Sequence, residues 1–212
     1  MEFLVKFLQQ FQWGVPGFFV MWSLVIGLIF VIGITLERGY YVYIRSNTNA
    51  PNFMAEIKRL IHAGDVKKAI ALCRSAGNRS LPQVFLRALE VTADREVVDF
   101  RAVQNAVDEA TLEIIPKLTK RTGFLAMLAN VSVLLGLLGT IYGLIISFEN
   151  VGSDTAALGI GISTAMFTTL AGLINAIPAI IFYTIINTKT NAIIDEIDEY
   201  SVKLIHLLTE RK

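Results

Sequence analysis

Two runs near the C-terminal end of the chain, Thr122 to Phe148 and Ala156 to Ile186, carry no Asp, Glu, Lys, Arg or His over 27 and 31 residues. About 20 apolar residues in a helix cross the hydrocarbon of a bilayer, so each run is long enough to span one. Both are dense in Gly, Ala, Ser and Thr. Such residues suit helices that pack on other helices or border a polar path better than helices that face lipid. A function is therefore sought between these two helices.

A third apolar run, Val15 to Leu36, is also long enough to span. Lys6 ahead of it suits a secretory leader. The run is long for a leader's apolar region, however, and is followed by Glu37-Arg38 rather than by small residues, so a retained helix is expected. With 54% hydrophobic residues and a mean hydropathy of +0.57, the chain reads as a small integral membrane subunit of the all-α class.

The distribution of charge sets the expected topology. Of 19 Lys and Arg, only Lys6 precedes the first span and none lies between the second and third; fourteen fall from Arg38 to Arg121, and four follow the third span. By the positive-inside rule the N-terminus lies outside and the C-terminus inside. Arg38, Arg45, Lys117, Lys120, Arg121 and Lys189, all close to span ends, agree. The net charge of +1 gives no indication of nucleic-acid binding.

The expected layout has seven parts. Residues 1–14 place Phe3, Leu4, Phe7, Leu8 and Phe11 at helical spacing beside Trp13, the pattern of a short helix in the periplasmic interface. Pro16 and Gly17 turn the chain into the first span, 15–36. Residues 37–121 read as a cytoplasmic helical domain broken at Gly64-Asp65 and at Ser75 to Pro82. Within it, Val103, Ala106, Val107, Ala110, Ile114 and Leu118 form a stripe that predicts a helix running almost without interruption into the second span, with a kink at Pro116. The second span, 122–148, a periplasmic loop, 149–155, and the third span, 156–187, follow. The C-terminal helix, 188–212, has an apolar face of Ile193, Ile194, Ile197, Tyr200, Leu204, Leu207 and Leu208 and an acidic run, Asp195, Glu196, Asp198 and Glu199, mostly off it.

In the second span Ser132, Gly136, Gly139, Thr140, Gly143 and Ser147 recur at steps of three and four and form one small, weakly polar face. Gly139 and Gly143 make a GxxxG pair that admits close helix approach, and lateral contact with a neighbouring copy of the chain is expected there. The hydroxyls of Thr140 and Ser147 can either satisfy a helix carbonyl or coordinate water and an ion. In the third span Gly159, Gly161, Ser163, Thr164, Ala165, Thr168, Thr169, Ala171, Gly172, Asn175, Ala176 and Ala179 lie almost all round the helix, which implies neighbours on several sides. Asn175 at mid-span needs a partner, either in packing or along a path. Pro178 frees a carbonyl near the same depth. No span carries a titratable group, so proton transfer would need a carboxylate from elsewhere. Cys73 is the single cysteine, and with His62 and His206 alone no metal site is expected. With no nucleophile–base pair, phosphate loop or cofactor motif, neither an enzyme nor a bound cofactor is expected.

The run LLGLLGTIYGLIISFE, Leu134 to Glu149, followed by GIGISTAMFTTLAGLINAIPAIIFY, Gly159 to Tyr183, resembles the MotA/TolQ/ExbB family of ion-channel motor stators, closest in wording to the TolQ and ExbB branch. GLLGT, GIxxA, TxxGL and AIPA occur in the family's order and spacing. The LER ending of the first span and the GDVKKAIALC segment agree in layout and loosely in sequence. The resemblance implies a homopentameric ring in a bacterial inner membrane, with three transmembrane helices per subunit and long cytoplasmic helical extensions. The ring would surround the single-span helices of a dimeric partner similar to ExbD, TolR or MotB, and that partner would bring a titratable Asp. It further implies ion passage, by protons in preference to sodium, that drives rotation for envelope transport, envelope maintenance or motility. By position Thr140 and Thr169 match the pore threonines, with Thr164, Thr168 and Ser147 as further polar lining and Gly136, Gly139, Gly143, Gly161 and Gly172 as packing positions. Where TolQ and ExbB proteins usually have Glu in GIAEA, this chain has Thr164 in GISTA. The alternative is a homo-oligomeric scaffold that packs by the same small residues without conducting.

Overall fold

The structure is a computed structural model that describes residues 2–15, 17–92, 99–149 and 155–209. All regular elements among them are helical: α1 (Glu2–Gln9), α2 (Phe18–Tyr40), α3 (Ala50–His62), α4 (Val66–Ser75), α5 (Ser80–Thr92), α6 (Phe100–Thr119), α7 (Thr122–Glu149) and α8 (Thr155–Thr209). A π-helical turn, Tyr41–Arg45, extends α2. The chain divides into two compact units, Met1–Glu37 with Arg121–Ile185, and Arg38–Lys120 with Ile186–Lys212. The expected turn at Pro16 and most of the expected loop between the second and third spans lie outside the described residues.

Three helical stretches are long and apolar enough to cross a membrane, one in each of the three apolar runs. In the first unit their contacts follow from side-chain size. Ser132, Gly136, Gly139, Gly143 and Ser147 are all buried on one face of α7. They meet α8 of the same chain, where a Cβ placed on Gly143 would lie 2.6 Å from the Gly161 carbonyl oxygen, and one on Gly172 would lie 2.7 Å from that of Ser132. Backbone meets backbone, which only glycine permits. This corrects the expectation that Gly136, Gly139 and Gly143 join one copy of the chain to the next, because α8 of the same chain fills the space over them.

The first span is tied to the third by Asn175, whose Nδ2 donates to the Leu24 carbonyl at 2.6 Å. Gly27, one turn further along α2, leaves room for that amide. In the segment after α1, Phe11 joins Phe7 in an edge-on contact, and Phe7 also packs edge-on against Phe167 of α8. Both Phe7 and Phe11 pack on a core of Met21, Leu24 and Ala171. Part of the apolar side of this N-terminal segment is thus covered by protein, while Leu8 stays exposed.

The second unit is a soluble-type helical core. Asn49 caps α3 through its side-chain oxygen, with Pro51 in the first turn, and Asp99 caps α6 by accepting from the Arg101 N–H at 2.9 Å. Gly64 and Gly77, both at positive φ, end α3 and α4. Phe85, Leu89, Ile57, Ile61, Ala69, Val107, Ile197, Leu204 and Leu208 are buried, and Phe53 packs on Phe85 with ring centroids 5.8 Å apart. Arg74 and Glu90 pair at 3.0 Å between α4 and α5.

The passage from the 99–118 stripe into the second span is interrupted only at Lys120 and Arg121. The helix continues through Pro116 to Thr119 and breaks at Lys120, with ψ 134°, and Arg121, with φ 63°. Continuation would have directed the N–H groups of Arg121 and Thr122 to the carbonyls of Lys117 and Leu118. The buried Arg38 guanidinium donates to those two carbonyls instead. It also lies over the Tyr41 ring, 4.8 Å from the centroid. A cation at a helix C-terminus satisfies open carbonyls and opposes the helix dipole, so the break is held by a side chain 80 residues distant in sequence. Within the first unit, Arg121 pairs with Glu37 at 2.7 Å.

Candidate functional site

Of the hydroxyl residues singled out as path lining, Thr140, Ser147, Thr168 and Thr169 lie at the seam between α7 and α8 and Thr164 faces the N-terminal segment, in three different settings. Thr168 is fully buried against Gly139, and its Oγ1 donates back to the carbonyls of Thr164 and Ala165 at 3.1 and 3.0 Å. Ser147 is buried at the other end of the seam, with Oγ 3.0 Å from the Gly143 carbonyl and 3.2 Å from that of Leu158 on α8. Its single proton is shared between the two acceptors. Thr164 is fully buried too, donating to Oε1 of Gln10 at 3.1 Å. Its methyl group lies where a Cβ on Gly17 would fall, 2.7 Å away, so the chain passes close over it with Gly17 at φ +89°. Within one chain these three side chains serve helix contacts and face no open surface.

Thr140 and Thr169 are different. Both are half-buried at the margin of the seam, and both have Oγ1 3.5 Å from the same acceptor, the Gly136 carbonyl. Each also has a carbonyl of its own helix, Leu137 at 2.6 Å for Thr140 and Ala165 at 3.4 Å for Thr169. A hydroxyl that donates to the backbone keeps its oxygen lone pairs available. Two such hydroxyls from different helices, converging on one carbonyl, form a small cluster of oxygens at the edge of an apolar wall. Leu137, Ile141 and Leu144 on α7 and Met166 and Leu173 on α8 are exposed around it.

The cluster holds no carboxylate, imidazole or amine, in keeping with the uncharged sequence of both spans. It can pass an ion or hold water by oxygen contacts, but it cannot release a proton near neutral pH. Among the described residues no group of three or more His, Cys, Asp and Glu is placed to hold a metal ion.

Two residues of the region were missed by the sequence reading. Gln10 is buried 154 positions away from its partner Thr164, and nothing in its sequence surroundings marks that pairing. Asn130, exposed on α7, had a readable signal, since an amide within an apolar span calls for a partner beyond its own helix. By contrast, Asn175 does find its partner inside the chain.

Residues 76–199 match the MotA/TolQ/ExbB proton channel family. The Tol-Pal system protein TolQ of Haemophilus influenzae is 33% identical over 128 residues, covering 57% of this chain and 56% of that protein. A putative biopolymer transport protein ExbB homolog of Methanothermobacter thermautotrophicus is 28% identical over 191 residues, covering 86% and 64%. The ExbB-like 3 protein of Synechocystis is 31% identical over 163 residues, covering 73% of each. The chain thus spans between about half and two thirds of the length of the first two relatives. Among solved structures, that of C. jejuni MotAB superposes with a TM-score of 0.67 over 92% of this chain and 77% of its own, at 15% identity, a likeness of fold.

Proposed function

The chain belongs to the MotA/TolQ/ExbB proton channel family, and from that membership we propose that it is a channel and stator subunit of a molecular motor driven by an ion-motive force. Five copies form a ring around a dimeric single-span partner similar to ExbD, TolR or MotB. The ring lies in a bacterial inner membrane, with N-termini periplasmic and C-termini cytoplasmic as the distribution of basic residues favours. Ion flow along the ring interior turns ring and partner against each other. The work delivered is envelope transport, envelope maintenance or motility.

The observation that carries this reading is the pair Thr140 and Thr169, the two hydroxyls of the seam that remain at its open margin and share the Gly136 carbonyl. Since neither span has a group that titrates near neutral pH, the protonatable Asp belongs to the partner, and the two threonines guide protons to it through bound water. Thr164 supplies no carboxylate, and its hydroxyl is engaged by Gln10.

The test is flux through proteoliposomes. The chain alone is expected to be nearly silent to an imposed pH gradient, and co-reconstitution with the partner is expected to permit flux that an Asp→Asn change in the partner abolishes. Thr140→Val and Thr169→Val preserve side-chain shape while removing the hydroxyl, so assembly should survive while flux falls at least about tenfold. Strong flux from the chain alone refutes the two-component mechanism. Full flux in both valine variants refutes the assignment of the path, and no flux under any condition favours the non-conducting scaffold.

A further inference from the structure

A second site lies on the other side of α8, away from the threonine pair. Phe7 and Phe11, Met21 and Leu28 of α2, and Ala171 and Asn175 of α8 enclose an apolar pocket of about 150 Å³, open on one side. The one polar wall group, Asn175, has its Nδ2 committed to the Leu24 carbonyl, so that donor does not require water. An apolar lining with no free donor offers water nothing to bond and accepts an apolar guest.

The flanking chemistry narrows the guest further. Met21 to Leu28 lie around the middle of the first span, and Lys6, which precedes the pocket residue Phe7 in the sequence, is exposed. Lys6 is the sole Lys or Arg ahead of that span and carries no ion pair among the described residues. An apolar slot inside a membrane segment, with an exposed cation at its end of the span, suits an amphiphile with an anionic head. We propose that this pocket holds one acyl chain of a membrane phospholipid whose headgroup phosphate meets Lys6. The lipid then completes the packing of the N-terminal segment on α2 and α8, which the protein alone leaves unfilled.

The test uses the full-length chain purified in mild detergent with phosphatidylglycerol and analysed by native mass spectrometry. The wild-type chain is expected to retain one phospholipid through a detergent wash. Val25→Phe and Ala171→Leu fill the pocket and should lower retention at least about tenfold, comparable to the loss of two buried methylenes. Lys6→Gln should lower it about fivefold for phosphatidylglycerol at low salt. A wild-type chain that keeps no lipid, or filled variants that keep it unchanged, overturns the proposal. Should the filled variants fail to fold, wild-type chain exposed to phosphatidylglycerol with a diazirine in its acyl chain decides the matter. Labels confined to residues 21–28 and 171–175 support the site, and labels only on outward side chains such as Phe19, Ile29 and Leu134 refute it.

Discussion

Gly143→Ala is the sharpest probe of the α7–α8 seam. The new methyl carbon would lie 2.6 Å from the Gly161 carbonyl oxygen, 2.9 Å from the Ala165 nitrogen and 3.0 Å from the Ala165 Cβ. The first of these is about 0.8 Å inside the 3.4 Å at which ordinary contact begins. Two of the three opposing atoms are backbone, so no side chain can swing away and the helices must separate. A radial gap of about 0.5–1 Å forfeits a quarter to a half of each dispersion contact along the seam. Overpacking of this kind costs about 1–3 kcal/mol, lessened by up to about 1 kcal/mol because Ala favours the helix over Gly. The matched control is Gly33→Ala, where the added methyl has nothing within 4 Å and only the helix preference acts. Because the helix preference is common to both variants and cancels, Gly143→Ala should be less stable than Gly33→Ala by about 1–3 kcal/mol in denaturant titrations of the detergent-solubilised chain. Ala165→Gly removes only the 3.0 Å contact and should rescue Gly143→Ala incompletely. If Gly143→Ala matches Gly33→Ala within about 0.5 kcal/mol, the seam does not close through backbone contact and the reasoning fails.

Asn175→Leu should cost about 1 kcal/mol in the same titration, since membrane-buried side-chain hydrogen bonds are worth about 0.6–1.7 kcal/mol; an unchanged midpoint would mean that the bond to Leu24 contributes nothing. Arg38→Met should lower stability by about 1.5–3 kcal/mol and speed amide exchange at the end of α6, with partial recovery in Arg38→Lys, because an ammonium keeps the cation at the open carbonyls but loses the planar guanidinium's stacking on the Tyr41 ring. Equal exchange in all three proteins would remove Arg38 as the cap. Cys73 is 1% exposed, and burial pushes its thiol from 9.0 up to about 12. The unfolded chain therefore releases this proton first as pH rises, so stability should be intact below about pH 9 and fall between about pH 9 and 12. Cys73→Ala should flatten that fall, and iodoacetamide should label wild-type Cys73 only on unfolding; rapid labelling of the folded chain would refute its burial.

The uncharged runs of the second and third spans, the one-sided distribution of Lys and Arg and the serial order of GLLGT, GIxxA, TxxGL and AIPA were enough to read helices, membrane segments and family from the sequence. Each depends on composition or spacing along a single helix, which the 3.6-residue period writes directly into the chain. The Ser132 to Ser147 stripe was legible as a face for close approach in the same way. Its address was not, because a row of small residues records that a backbone comes near without recording whose backbone it is. Only the folded chain shows α8 there, and with it the division of the hydroxyls into buried Thr164, Thr168 and Ser147 and half-buried Thr140 and Thr169. The helix break at Lys120 and Arg121 escaped the pattern for a related reason. Apolar periodicity continues through Pro116, while the carbonyls that a straight helix would have satisfied are taken by Arg38, a partner some 80 positions away. Sequence thus determined what each helix can tolerate on each face, since that depends on its own side chains. Tertiary structure decided which groups meet, because hydrogen bonds and steric fit act over a few ångströms in space, irrespective of how far apart along the chain, as with Gln10 and Thr164, the partners lie.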